Sequence, residues 1–148
     1  MSERKHVTMV MIEDDEGHAR LIEKNIRRAG ISNAIRHFTD GATALDFLTC
    51  HEEGPALNGP ALVLLDLNLP DMSGTDILSK IKSDDRLKRT PVVVLTTTDD
   101  KLEIQRCYDL GCNVYITKPV NYESFADAIR QLGLFLSVIQ VPEIEGGV

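Results

Sequence analysis

The sequence predicts an α/β fold of five βα units: one five-stranded parallel sheet, (βα)5, with helices on both faces. Three observations carry this. Short apolar runs alternate with helix-period segments five times along 148 residues. The first run lacks clean polar alternation, as expected of a strand buried on both faces. Four of the runs end in a polar or charged residue, and strict βα order favours crossover connections in a parallel sheet.

The elements follow in order. Val7 to Ile12 is a six-residue apolar run that leads into Glu13-Asp14-Asp15-Glu16. From about Gly17 to Ala29 the period is helical, with Ala19, Ile22, Ile26 and Ala29 on one stripe and Gly30 as the stop. Ala34 to Phe38 reads as a second strand, and Gly41 to Leu48 as a short helix turning Ala44, Leu45 and Leu48 inward. Cys50 to Pro60 is a surface loop with two glycines and two prolines. Ala61 to Leu65 is the most apolar strand, stopped by Asp66. Gly74 to Ile81 is helical behind a Ser73 N-cap. Pro91 to Leu95 is the fourth strand, ending in Thr96-Thr97-Thr98. Asp99-Asp100 caps a helix over Lys101 to Leu110 that stops at Gly111. Val114 to Thr117 is the fifth strand, followed by Lys118-Pro119, and a last helix runs from about Tyr122 to Ser137. The chain reads as a single domain over 1–148, with 138–148 a short tail.

Composition narrows the function classes. Hydrophobic residues at 43% and charged residues at 26% suit a globular domain, and disorder is disfavoured. A formal net charge of −7 disfavours direct nucleic-acid or anionic-membrane binding. Cys50, Cys107 and Cys112 show no C-x-x-C spacing and read as free thiols in a reducing cytosol. The first apolar run is too short for a signal-peptide core or a membrane span, so a cytoplasmic location is expected.

In an open parallel sheet, ligands bind outside the carboxyl ends of the strands. Those ends here carry Glu13 and Asp14, then Asp66, Thr96 and Lys118. Converging carboxylates repel one another unless they protonate or share a cation. Oxygen donors without His or Cys favour Mg²⁺ or a similar ion over Zn²⁺. An aspartate beside such a cation, a lysine and a threonine is suited to nucleophilic attack on phosphorus, forming an acyl phosphate. The parts suit phosphoryl transfer onto Asp66.

At this point the chain resembles the receiver domain of two-component response regulators, over roughly residues 6 to 136. The marks are Glu13-Asp14 after an apolar strand, and Asp66 within Leu64-Leu65-Asp66-Leu67-Asn68-Leu69-Pro70. Gly74 follows eight residues beyond Asp66, Thr96 thirty beyond it, and Lys118-Pro119 twenty-two beyond Thr96. The resemblance implies a flavodoxin-like sheet and a phosphoacceptor role for Asp66. It implies Mg²⁺, with Mn²⁺ as a substitute, on Asp14 and Asp66, on Glu13 through water, and on the backbone carbonyl of Asn68. It implies that Thr96 and Lys118 meet the phosphoryl group, that Thr96 and Tyr115 form a switch, and that the Lys118–Pro119 peptide is cis. A histidine kinase, an unidentified downstream protein and a signalling rather than enzymatic role follow. Only self-phosphorylation and self-dephosphorylation are then expected of the chain.

The Cys50–Pro60 loop is longer than in minimal receivers, and no output domain follows. With the tail, this is similar to stand-alone regulators paired with bacterial phytochromes, which implies a bacteriophytochrome kinase and a homodimer through the 101–141 face. Thr97, where the family usually has a smaller residue, narrows access to the phosphoryl group.

Plainer readings stand beside these. Asp15 and Glu16 read as helix N-terminal charges rather than ligands, and Tyr115 also fits as an ordinary strand aromatic. His6, His18, His37 and His51 match no ligand spacing and read as solvated or structural. An aspartyl-phosphate phosphatase of the haloacid dehalogenase kind needs a second aspartate two residues after the nucleophile, where this chain has Asn68. A flavin or nucleotide binder needs a Gly-rich loop after the first strand, where this chain has four acids.

Overall fold

The computed structural model describes residues 7–28, 31–49, 61–97 and 99–118, with positions 123 and 127. The elements are β1 (Thr8–Ile12), α1 (Glu16–Arg28), β2 (Ile35–Phe38), α2 (Gly41–Thr49), β3 (Ala61–Asp66), α3 (Gly74–Ser83), β4 (Val92–Thr96), α4 (Lys101–Leu110) and β5 (Val114–Thr117). All five strands pair in parallel in the order β2-β1-β3-β4-β5. This is the receiver-type (βα)5 sheet expected above, with the order reversing beside β1.

The central strands are apolar because both of their faces are covered. Met9, Met11, Leu62, Leu64, Val93, Leu95 and Ile116 share one core with Ala19, Ile22 and Ile26 of α1. The alternate residues Val10, Ile12, Val63, Leu65, Val92 and Val94 share the other, with Ala44 and Leu48 of α2, Ile77, Leu78 and Ile81 of α3, and Cys107 of α4. The period of two along each strand thus assigns α1 to one face and the next three helices to the other.

Several boundaries differ from the sequence reading, each for a local reason. Helix α1 opens at Glu16, one residue early, because Asp15 caps it: its Oδ1 accepts the His18 N–H at 2.9 Å. Helix α3 continues past Ile81 to Ser83, where the Asp84 N–H still reaches the Ile81 carbonyl. Helix α2 gains Thr49, whose hydroxyl donates to the Leu45 carbonyl at 2.7 Å. Strand β2 opens at Ile35 rather than Ala34, and β4 at Val92, since Pro91 has no N–H for the ladder. The expected caps are present: Ser73 on α3, Asp100 on α4, and Gly111 closing α4 at φ 109°, a backbone that only glycine adopts at little cost. The Ala29-Gly30 stop, the Cys50–Pro60 loop, the Lys118–Pro119 peptide and the 138–148 tail lie outside the described residues. So does the last helix, apart from helical positions Glu123 and Asp127.

Cys107 and Cys112 are buried free thiols. Burial pushes Cys107 up to about 11 and Cys112 up to about 12. Their thiolate populations at pH 8 are therefore depressed by roughly 100-fold or more against an ordinary cysteine. Iodoacetamide labelling of these two positions, read by peptide mass, is expected to be slower in native protein than in urea by at least that factor. Equal rates would contradict the burial. Among the described residues, no helix is long and apolar enough to cross a membrane.

Candidate functional site

Because β1, β3, β4 and β5 are consecutive neighbours, their carboxyl ends form one edge. Ile12 pairs with Leu65, Asp66 with Leu95 and Thr96 with Thr117. The next residues out, Glu13 and Lys118, therefore rise on either side of Asp66. Two backbone bonds fix them: Glu13 N–H to Phe38 carbonyl at 2.9 Å, and Lys118 N–H to Thr96 carbonyl at 2.7 Å.

Glu13, Asp14 and Asp66 each present a carboxylate oxygen within 4.8 Å of the other two. Glu13 and Asp66 are buried, whereas Asp14 faces solvent. Lys118 is buried beside them; its Nζ donates to Glu13 Oε1 at 2.6 Å and lies 3.6 Å from Asp66 Oδ2. The second Glu13 oxygen accepts the Asp15 N–H at 3.3 Å, and Asp66 Oδ1 accepts the Asn68 N–H at 3.2 Å. Burial pushes Asp66 up to about 6, reinforced by the Glu13 charge and opposed by the Asn68 N–H and Lys118. Three carboxylates thus converge where one ammonium pairs with two of them. A divalent cation would supply the charge this arrangement lacks, and an all-oxygen donor set suits a hard ion. The site opens into a cleft of about 650 Å³ lined by Asp14, Asn68, Ser73, Thr96 and Glu103.

Of the residues read from the sequence, Glu13, Asp14, Asp66 and Lys118 meet directly, and Asn68 and Thr96 line the same cleft. Thr96 is fully buried at the end of β4. Tyr115 stands apart, partly buried against the core that holds Cys107 and Cys112; burial pushes its hydroxyl up to about 12. Pro119 lies outside the described residues.

Two side chains at the site escaped the sequence reading. His18, read as solvated or structural, is half-exposed, and its Nδ1 lies 3.2 Å from Lys118 Nζ, a contact the sequence did not signal. Asp71 caps α2 from a distance, its two oxygens accepting the Gly41 and Ala42 N–H groups at 2.9 Å each. This ties the loop after Asp66 to the neighbouring helix, and it holds the Asp71 carboxyl below its usual range. Nothing in local spacing signals either contact, since each joins distant parts of the chain.

The loop after Asp66 is closed by Gly74, whose N–H donates to the Leu67 carbonyl at 3.1 Å. A Cβ there would stand 2.5 Å from Leu67 Cα and 2.7 Å from the Asp66 carbonyl, backbone atoms that cannot rotate away. Gly74→Ala is therefore expected to cost roughly 2–3 kcal/mol, the upper part of the range for overpacking. Urea unfolding measures this, and an unchanged midpoint would refute the close approach.

Residues 9–130 match the response regulator receiver domain. A crystal structure of a response regulator receiver domain from Rhodospirillum rubrum is 67% identical, with TM-score 0.75, covering 95% of this chain and 100% of that one. Response regulator Rcp1 of Synechocystis sp. is 33% identical over 135 residues, 90% of this chain and 92% of Rcp1. The Mn²⁺-bound crystal structure of Rcp1 gives TM-score 0.71 at 31% identity, over 93% and 99% of the two chains. The phosphorylated cyanobacterial phytochrome response regulator RcpA gives 0.72 at 34% identity, over 94% and 100%. Matched over most of its length in sequence and in fold, the chain belongs to the response regulator receiver domain family.

Proposed function

We propose that this chain is a phosphoacceptor: Asp66 takes a phosphoryl group from a histidine kinase in a Mg²⁺-dependent reaction, and the change alters its protein contacts. The observation that carries this reading is the meeting of Asp66 with Glu13, Asp14 and Lys118 at one sheet edge. A cation there would be held by Asp14, Asp66 and the Asn68 carbonyl, with Glu13 acting through water. When bound, Mg²⁺ supplies positive charge against the oxygens of the phosphoryl group. The Mn²⁺-bound structure of Rcp1 supports a divalent ion at such a site, and the phosphorylated RcpA supports modification of this class of protein.

In the transfer, an Asp66 carboxylate oxygen bonds to phosphorus as the N–P bond of a phosphohistidine breaks. The departing imidazole nitrogen takes up a proton from solvent. Lys118 Nζ is positioned to pair with a phosphoryl oxygen, and the Thr96 hydroxyl to donate to another. Tyr115, next but one in β5 before Thr117, responds as Thr96 moves. The kinase on this reading is of the phytochrome type, as the likeness to RcpA suggests. The downstream protein, or a second copy, meets the face carrying α4, where Leu102 stands 79% exposed.

Incubation with acetyl phosphate and Mg²⁺, followed by intact mass, tests this. One phosphoryl group is expected on the wild type, and none on Asp66→Asn or in EDTA. If acetyl phosphate, a phosphohistidine donor and beryllofluoride all fail to modify or bind the wild type, the reading is wrong.

A further inference from the structure

Lys118 has three hydrogens and three acceptor-bearing neighbours: Glu13 Oε1 at 2.6 Å, His18 Nδ1 at 3.2 Å and Asp66 Oδ2 at 3.6 Å. An ammonium can only donate, so in this contact His18 Nδ1 is the acceptor; the same nitrogen lies 3.7 Å from Glu13 Oε2 and 4.0 Å from Asp15 Oδ2. The backbone N–H of His18 donates to Asp15 Oδ1 at 2.9 Å, so the cap that starts α1 also fixes the backbone that carries the imidazole. The His18 side chain is 44% exposed while that of Lys118 is 5% exposed, so the imidazole flanks the ammonium on its solvent side.

We propose that His18 is a positioning residue for Lys118, a third anchor that keeps the ammonium from collapsing onto Glu13 or turning to solvent. This rests on the phosphoacceptor reading above. Of the three contacts, the one to Asp66 is the longest and is the one a phosphoryl group must replace. With His18 in place, Lys118 pivots between fixed acceptors. Without it, only Glu13 and the longer Asp66 contact hold the ammonium, and the phosphoryl group must win it from Glu13.

Three proteins test this: the wild type, His18→Leu, which has no acceptor, and His18→Asn, whose amide oxygen falls near the place of Nδ1. In Mg²⁺, the apparent affinity for beryllofluoride is expected to fall about five-fold or more in His18→Leu, given the strength of hydrogen bonds to charged groups. His18→Asn is expected to recover to within about two-fold of wild type on the same grounds. Both variants should unfold at similar urea concentrations. If both bind like the wild type, or both lose affinity equally, the proposal is overturned. The ¹⁵N signal of the Lys118 ammonium in metal-free protein gives a readout independent of phosphoryl chemistry. Faster proton exchange in His18→Leu than in the other two supports the contact, and equal exchange overturns it. A wild type that ignores beryllofluoride sinks the phosphoacceptor reading, and the ammonium signal alone then decides whether His18 holds Lys118.

Discussion

In EDTA at pH 8, Asp66→Asn is expected to be more stable than the wild type, although it removes the residue on which the proposed function depends. The native carboxyl titrates at about 6, above its ordinary 3.8, chiefly because it is buried and then because Glu13 is beside it. A carboxyl raised in this way binds its proton more tightly in the folded state. Its stabilising contribution is complete below the unfolded value and disappears as pH rises through the folded one. Wild-type stability should therefore fall, relative to Asp66→Asn, between roughly pH 4 and pH 6, and stay lower above that. Two pKa units correspond to about 3 kcal/mol, and the open cleft tempers this to roughly 1–3 kcal/mol. Urea unfolding at pH 4, 6 and 8 measures it. On the proposed reading, Mg²⁺ should narrow or reverse the gap, because the native wild type would bind it through the carboxylate that the variant lacks. Equal stability at pH 8 without metal would mean that Asp66 carries no electrostatic strain.

How much of this was legible beforehand depended on whether a residue's place follows from its own element. Strand ends are local: Asp66 stops the most apolar run, Lys118 follows β5, and the parallel order then brings them to one edge whatever the loops do. Caps are equally local, which is why Ser73 and Gly111 were readable to the residue and the α4 cap to the pair Asp99-Asp100, of which Asp100 is the cap. His18 and Asp71 were not. His18 lies in the first turn of α1 and its partner lies 100 residues later, so the contact exists only once α1 is assigned to the sheet face it shares with Ile116. Asp71 looks like a loop polar residue after Pro70 until α2 is placed beside it, 30 residues earlier in the chain. The acidic cluster itself was predicted, but not its internal pairing. Glu13 engages Lys118 at 2.6 Å, more closely than Asp66 does at 3.6 Å.

That pairing sets the second large effect, Lys118→Met. Among the described residues, Lys118 is the one Lys or Arg within 4.0 Å of the Glu13 and Asp66 carboxylates. Methionine fills the same space and removes the charge, leaving two buried carboxylates facing each other. Deleting one partner of a buried ion pair costs about 3–5 kcal/mol when the remaining charge cannot escape. Here Asp66 can escape by taking up a proton, so the loss at pH 8 in EDTA is expected near 3 kcal/mol, the low end of that range. It should shrink toward pH 5, where Asp66 is largely protonated in both proteins. Asp66→Asn in the same background should recover much of the loss, giving a coupling of roughly 1–3 kcal/mol in a double-mutant cycle. Urea midpoints of the four proteins supply that cycle. Additive effects would place Lys118 with Glu13 alone, and the ammonium would then have no hold on Asp66 before a phosphoryl group arrives.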